Sequence, residues 1–151
     1  MKWRILIMAL VTLGLGAVWV SSQPEYEFWR RVGRTPPSGA ESLHIVTQFA
    51  TPDLTTHEVL AEFECRPECF AAFAESLGLA RRGENEFPKV GFDWTPRHAA
   101  APSWWQPSFD ADDDVRGSMN PRGERLFLGA HGGRVYLYRF GDRDGWTASS
   151  P

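Results

Sequence analysis

Two apolar alternating runs flank Gly132-Gly133 between Glu124 and Phe140. A two-residue turn of this kind needs positive φ at its centre, which glycine accepts without a Cβ clash, so the pattern predicts a tight β-hairpin. That turn sets Leu128 opposite Leu137 and Ala130 opposite Val135 on one side. On the other side Phe127 faces Tyr138, and Tyr136 covers the gap beside Gly129. Both faces of the hairpin are apolar, so any sheet built on it has to be covered twice. A helix can cover one face, which leaves the aromatic face for a Trp-rich loop, a partner or lipid.

The other elements extend this sheet. Ser42 to Ala50 alternates, with Leu43, Ile45, Thr47 and Phe49 on one face, and predicts a strand. His57 to Cys65 alternates again, with Val59, Ala61, Phe63 and Cys65 inward and Glu58, Glu62 and Glu64 outward, so this second strand is expected to be half solvated. Arg66-Pro67-Glu68 starts a helix, because proline at the first helical position gives up no needed hydrogen bond and the acid suits the positive helix end. Phe70, Phe73, Ala74 and Leu77 share one face of it, and Gly78 is placed to end it in a left-handed cap. Arg81 to Asn120, rich in Pro, Gly and acids, is expected to be a long loop with at most a short strand. The fold class is therefore α+β: a four-stranded antiparallel sheet in the order β-β-α-loop-β-β, one helix on one face, and a hydrophobic helix ahead of it. At 151 residues and 42% hydrophobic content the chain suits one domain, expected over residues 42–141 with a tail at 142–151.

Residues 1–22 carry a different signal. Lys2 and Arg4 precede sixteen residues without a charge, Ile5 to Val20. As a helix this run would extend about 24 Å, between a secretory core and a full membrane span, so it predicts a signal peptide or a retained anchor. Val20 and Ser22 would suit cleavage, whereas Trp3 and Trp19 bracket the run as interfacial aromatics do and favour retention. No cysteine closes the run, which argues against a lipid-modified lipoprotein. The basic start sends the remainder outward, although Arg30, Arg31 and Arg34 oppose that orientation. Residues 23–41, with Pro24, Pro36, Pro37 and Gly39, are expected to be a linker.

The hydrophobic start, the strand-strand-helix half, Pro102-Ser103-Trp104-Trp105-Gln106-Pro107 and the closing hairpin from Arg125-Leu126-Phe127-Leu128 to Val135-Tyr136-Leu137-Tyr138 form a recognisable layout. It resembles that of small exported or membrane-anchored bacterial proteins of unknown function, over Ser42 to Phe140. The resemblance implies a place in the cell envelope and no activity.

The net charge of −3 becomes −5 if the first 22 residues, with Lys2 and Arg4, are removed. The short basic clusters Arg30, Arg31, Arg34 and Arg81, Arg82 lie among glutamates, so nucleic acid is not an expected partner. Cys65-Arg66-Pro67-Glu68-Cys69 has three intervening residues rather than the two of thioredoxin-type sites, and in an oxidising compartment it predicts a structural disulfide; a redox pair is the alternative. His44, His57, His98 and His131 are dispersed without zinc-finger spacing. Asp110, Asp112, Asp113 and Asp114 resemble the start of a calcium loop, but Val115 and Pro121 stand where an EF-hand needs Gly and Glu. No cofactor, metal or catalytic residue is therefore assigned. Asp93, His98 and Glu124 are what a hydrolytic site would have to be assembled from.

Trp94, Trp104 and Trp105, stiffened by Pro96, Pro102 and Pro107, support two readings: an aromatic recognition loop, or a lid folded over the second face of the sheet. The functional expectation is an envelope binding module rather than an enzyme. Its contact residues would be Trp94, Trp104, Trp105, Tyr136 and Tyr138, its membrane contact residues 5–20, and its partner another envelope protein. The alternatives are a small exported enzyme or thiol protein using Cys65 and Cys69, and an accessory subunit of a membrane complex.

Overall fold

In the computed structural model, which describes Ile7 and residues 23–49, 55–81, 94, 96, 100–110, 112–119 and 123–142, the elements are α1 (Pro24–Val32), β1 (Glu41–Phe49), β2 (Thr56–Glu64), α2 (Pro67–Ser76), β3 (Ala80–Arg81), β4 (Asp114–Met119), β5 (Arg125–His131) and β6 (Arg134–Asp142). All strand pairs are antiparallel, and the order across the open sheet is β1-β2-β6-β5-β4-β3. The α+β class is as expected. The sheet has six strands rather than four, and two helices among the described residues rather than one. The hydrophobic segment at residues 1–22 lies outside the described residues except for Ile7. No described helix is long and apolar enough to cross a membrane.

The β5–β6 hairpin has the register its turn dictates: Leu128 pairs with Leu137, Ala130 with Val135, Phe127 with Tyr138 and Gly129 with Tyr136. Gly132 and Gly133 have φ of 58° and 82°, values that an L side chain would resist. Above Gly129, however, lies the Phe109 ring, and a Cβ there would come within 2.6 Å of Phe109 Cε1.

One face of the sheet carries both helices. Phe28 and Val32 of α1 and Phe70, Phe73, Ala74 and Leu77 of α2 pack with Ala61, Phe63, Leu126, Leu128, Val135 and Leu137. Phe63 meets Phe28 and Phe73 edge-on, with centroids 6.0 and 6.1 Å apart. Full burial of side chains of this size is worth about 1.5–3 kcal/mol each, so this layer holds the fold together.

The stretch expected to be a linker contains α1. Pro24 at its first position acts as a start signal, Glu25 and Glu27 suit its positive end and Arg30 and Arg31 its negative end, and Gly33 closes it at φ 79°. Arg31 Nε donates to Glu27 Oε1 at 2.8 Å, and Thr47 Oγ1 of β1 donates to the same oxygen at 3.1 Å. Burial, the largest single effect, pushes the Glu27 pKa up, but the bond and charge of Arg31, the Thr47 bond and the charge of Arg30 outweigh it and leave the group below 4.5. Because the folded pKa is depressed, this contribution is present above the unfolded value and lost as pH falls through the folded one. In denaturant titrations, Glu27→Gln should be less stable than wild type near pH 7, and the difference should shrink between about pH 5 and pH 3.

Candidate functional site

The second face of the sheet places the sequence-predicted aromatics together. In register across the strands lie His44 on β1, Glu62 on β2, Tyr136 on β6, Gly129 on β5 and Val115 on β4. The adjacent row runs Val46, Leu60, Tyr138 and Phe127. Over these rows the segment around Trp104 lays its rings. Trp105 meets Tyr136 edge-on at 5.6 Å and Trp94 at 6.2 Å, and its Nε1 donates to the Trp94 carbonyl at 3.0 Å. Phe109 contacts Trp94 at 4.7 Å and Tyr136 at 5.8 Å. Trp94, Trp105, Tyr136 and Tyr138 are all buried in this second apolar cluster. Trp104 is different: it is half-buried, and its ring stacks on exposed His44 with centroids 5.7 Å apart and planes at 27°.

This cover reverses the expectation for β2. Glu58 and Glu62, expected in solvent, are 0% and 4% exposed. The Tyr138 hydroxyl donates to Glu58 Oε1 at 2.8 Å, and Arg134 Nη1 donates to Glu62 Oε1 at 2.6 Å. Buried carboxylates are tolerated when such donors satisfy them. Burial first, and the Glu62 charge second, push the Tyr136 phenol above its ordinary value of 10.0, so it stays neutral. The second Glu62 oxygen is buried with no hydrogen-bond partner among the described residues.

Of the acid-rich segment, Asp110, Asp112 and Asp113 stay in the loop and turn ahead of β4, and Asp114 opens the strand. Asp114 accepts from Arg116 Nε and Nη2 at 3.1 and 2.9 Å, and the Arg116 guanidinium lies over the Phe70 ring on the helix face at 5.5 Å. Asp113 Oδ2 accepts the Asp110 amide at 2.6 Å and lies 2.8 Å from His131 Nδ1. Asp110, Asp113 and His131 thus bring three donor atoms within 4.8 Å, a spacing that suits a divalent cation, although the shared oxygen is already held by these bonds. The acids and the histidine are far apart in sequence, and the β4–β5 pairing brings them together.

Cys65 and Cys69 are joined in a disulfide with their Cα atoms 5.9 Å apart. The Cys65 amide also donates to the Gly133 carbonyl at 3.1 Å, so the bridge ties the end of β2, the hairpin turn and the first turn of α2. By loop-closure entropy, Cys65→Ser or Cys69→Ser should lower stability by about 2 kcal/mol, read as a lower denaturant midpoint. Cys69 borders a groove of about 370 Å³ with Arg34, Pro36, Phe73 and Ser76. Of the residues considered for a hydrolytic site, Glu124 is buried at the start of β5, and Asp93 and His98 lie outside the described residues.

Compared with family models, with curated proteins and with solved structures, the chain matches none.

Proposed function

We propose that this chain is an exported or membrane-anchored envelope protein whose α+β domain, outside the cytoplasm, is a binding module. The observation that carries the reading is the position of Trp104. Its half-buried ring on exposed His44 presents a flat aromatic surface, and Trp105, Trp94, Tyr136 and Tyr138 form a buried, rigid support behind it. An aromatic held in place before contact loses little conformational entropy on binding, which is the property of interface anchors. Residues 5–20 supply the membrane contact or export signal, another envelope protein is the partner, and the disulfide suits the oxidising side of the membrane.

The test combines place and contact. Membrane and soluble fractions of the native cell are prepared with thiols blocked at lysis, and a photo-crosslinking residue is placed at Trp104 or, as a control, at the exposed Glu75. Both cysteines unlabelled, with a defined adduct from position 104 alone, is the expected result. Labelled cysteines in a cytosolic chain, or equal adducts from both positions, would overturn it. A second reading, thiol exchange at the disulfide, is favoured by the half-buried Cys69 on its groove. It requires that Cys69→Ser abolish turnover of a disulfide substrate and not merely lower stability.

A further inference from the structure

The two edges of the sheet are unequal. Among the described residues the β3 edge is two residues long, and a very short edge strand is one of the ways proteins prevent sheets from joining. The β1 edge is nine residues long and, among the described residues, leaves a row of backbone N–H and C=O groups facing outward. From Leu43 to Phe49 this strand contains no Lys, Arg, Asp, Glu, Pro or Gly, the residues that normally guard an edge. Its one irregularity is at the start, where Ser42 has φ 54° and the register shifts between Glu41 and His44. Beyond it the strand is regular to Phe49, whose ring is 53% exposed.

We infer that β1 is a self-association edge, pairing antiparallel with β1 of a second copy about a two-fold axis at Val46. Antiparallel partners project to the same face, so a two-fold axis normal to the sheet pairs residues of equal parity and passes through one residue. Centring on Val46 uses the whole regular segment and avoids the bulge. It puts Leu43 against Phe49, Ile45 against Thr47, His44 against Gln48 and Val46 against itself. The exposed Phe49 ring is then covered by leucine, and no two like charges face each other, so the strand is complementary to itself. The axis keeps α1 and α2 of both copies on one side of the joined sheet and sets both Trp104–His44 pairs on the other, flanking the axis. Seven paired residues bury far less than the ~1,600 Å² of a standard interface, so association is weak and concentration-dependent.

Single cysteines at His44, Ile45, Val46 and Thr47 in the purified full chain, held in mild detergent because of residues 5–20, test the register under gentle oxidation. The wild type, with both cysteines bridged, is the blank. Val46→Cys should cross-link to itself at least about fivefold faster than the other three single variants, and a mixture of Ile45→Cys and Thr47→Cys should give the mixed dimer, because among these four positions only these pairs lie opposite each other. Val46→Lys, which sets two cations face to face, should shift sedimentation to the monomer while far-UV circular dichroism stays unchanged. Uniform cross-linking, a maximum at another position, or a chain that is monomeric at all concentrations would overturn the inference. The outcome is independent of whether Trp104 contacts a partner.

Discussion

Trp105→Ala is expected to lower unfolding free energy by about 3–5 kcal/mol, the range for emptying a large buried aromatic site. Trp105 is 5% exposed, packs against Trp94, Trp104 and Tyr136, and donates its indole proton to the Trp94 carbonyl. Truncation removes the ring, opens a cavity over Tyr136 and takes the indole donor from the Trp94 carbonyl. A domain of this size has about 5–15 kcal/mol in total, so the loss is a large fraction of its stability. Trp104→Ala removes a ring that is already half in water and should cost below about 1 kcal/mol. Urea titrations of the two variants measure the contrast. Equal, small losses would mean that the aromatic segment does not cover the sheet, and the burial of Glu58 and Glu62 would then have no explanation. A large loss for Trp105 with a small loss for Trp104 separates support from contact surface, so that any binding defect of Trp104→Ala can be assigned to lost contact.

What could be read from sequence was local. The β5–β6 register follows from Gly132-Gly133 and the alternation on either side, because a two-residue turn leaves no freedom in pairing. The start of α2 at Pro67 and its end at Gly78 are equally local signals. The acid face of β2 was not legible, because its burial depends on donors far away in the chain. Arg134 and Tyr138 lie 72 and 80 residues from the carboxylates they satisfy. Taken alone, Glu58 and Glu62 are what an exposed strand face looks like. The helix α1 was hidden for a different reason: nine residues offer only Phe28 and Val32 as a buried apolar pair, and Pro24 reads as a breaker unless it is known to stand first. β4 contains Gly117 and opens on acids, so it has little strand propensity of its own. It is a strand because β5 pairs with it and because Arg116 both neutralises Asp114 and packs on Phe70. For the candidate site, the aromatic residues were legible as a group, but which of them reaches solvent was not, because that depends on where the loop crosses β1.

The second large effect is expected at the opposite end of β6. Arg139 is 0% exposed on the helix face, donates from Nη2 to the Asp142 carbonyl at 2.5 Å and has Glu124 Oε1 at 3.8 Å. Glu124 Oε1 also accepts the Asp142 amide at 3.0 Å, and Gly141 leaves it room, since a Cβ there would come within 2.8 Å of Glu124 Cγ. A buried charge pair contributes little against an apolar replacement of both partners, but removal of one partner leaves the other charge desolvated and uncompensated. Arg139→Leu should therefore cost about 3–5 kcal/mol, because it removes a cation beside the buried Glu124 carboxylate. Arg139→Lys keeps a cation but loses the planar guanidinium, so it should fall between Leu and wild type. The double variant Arg139→Leu/Glu124→Leu should be more stable than Arg139→Leu alone, with a coupling of about 1–3 kcal/mol in a double-mutant cycle. Strict additivity would show that Arg139 acts through its aliphatic packing on Val59 and Leu126, its cross-strand neighbours, rather than through Glu124. The size of the coupling thus decides whether the buried charge at this end of the sheet is a closed electrostatic clamp or a long apolar side chain that happens to end in one.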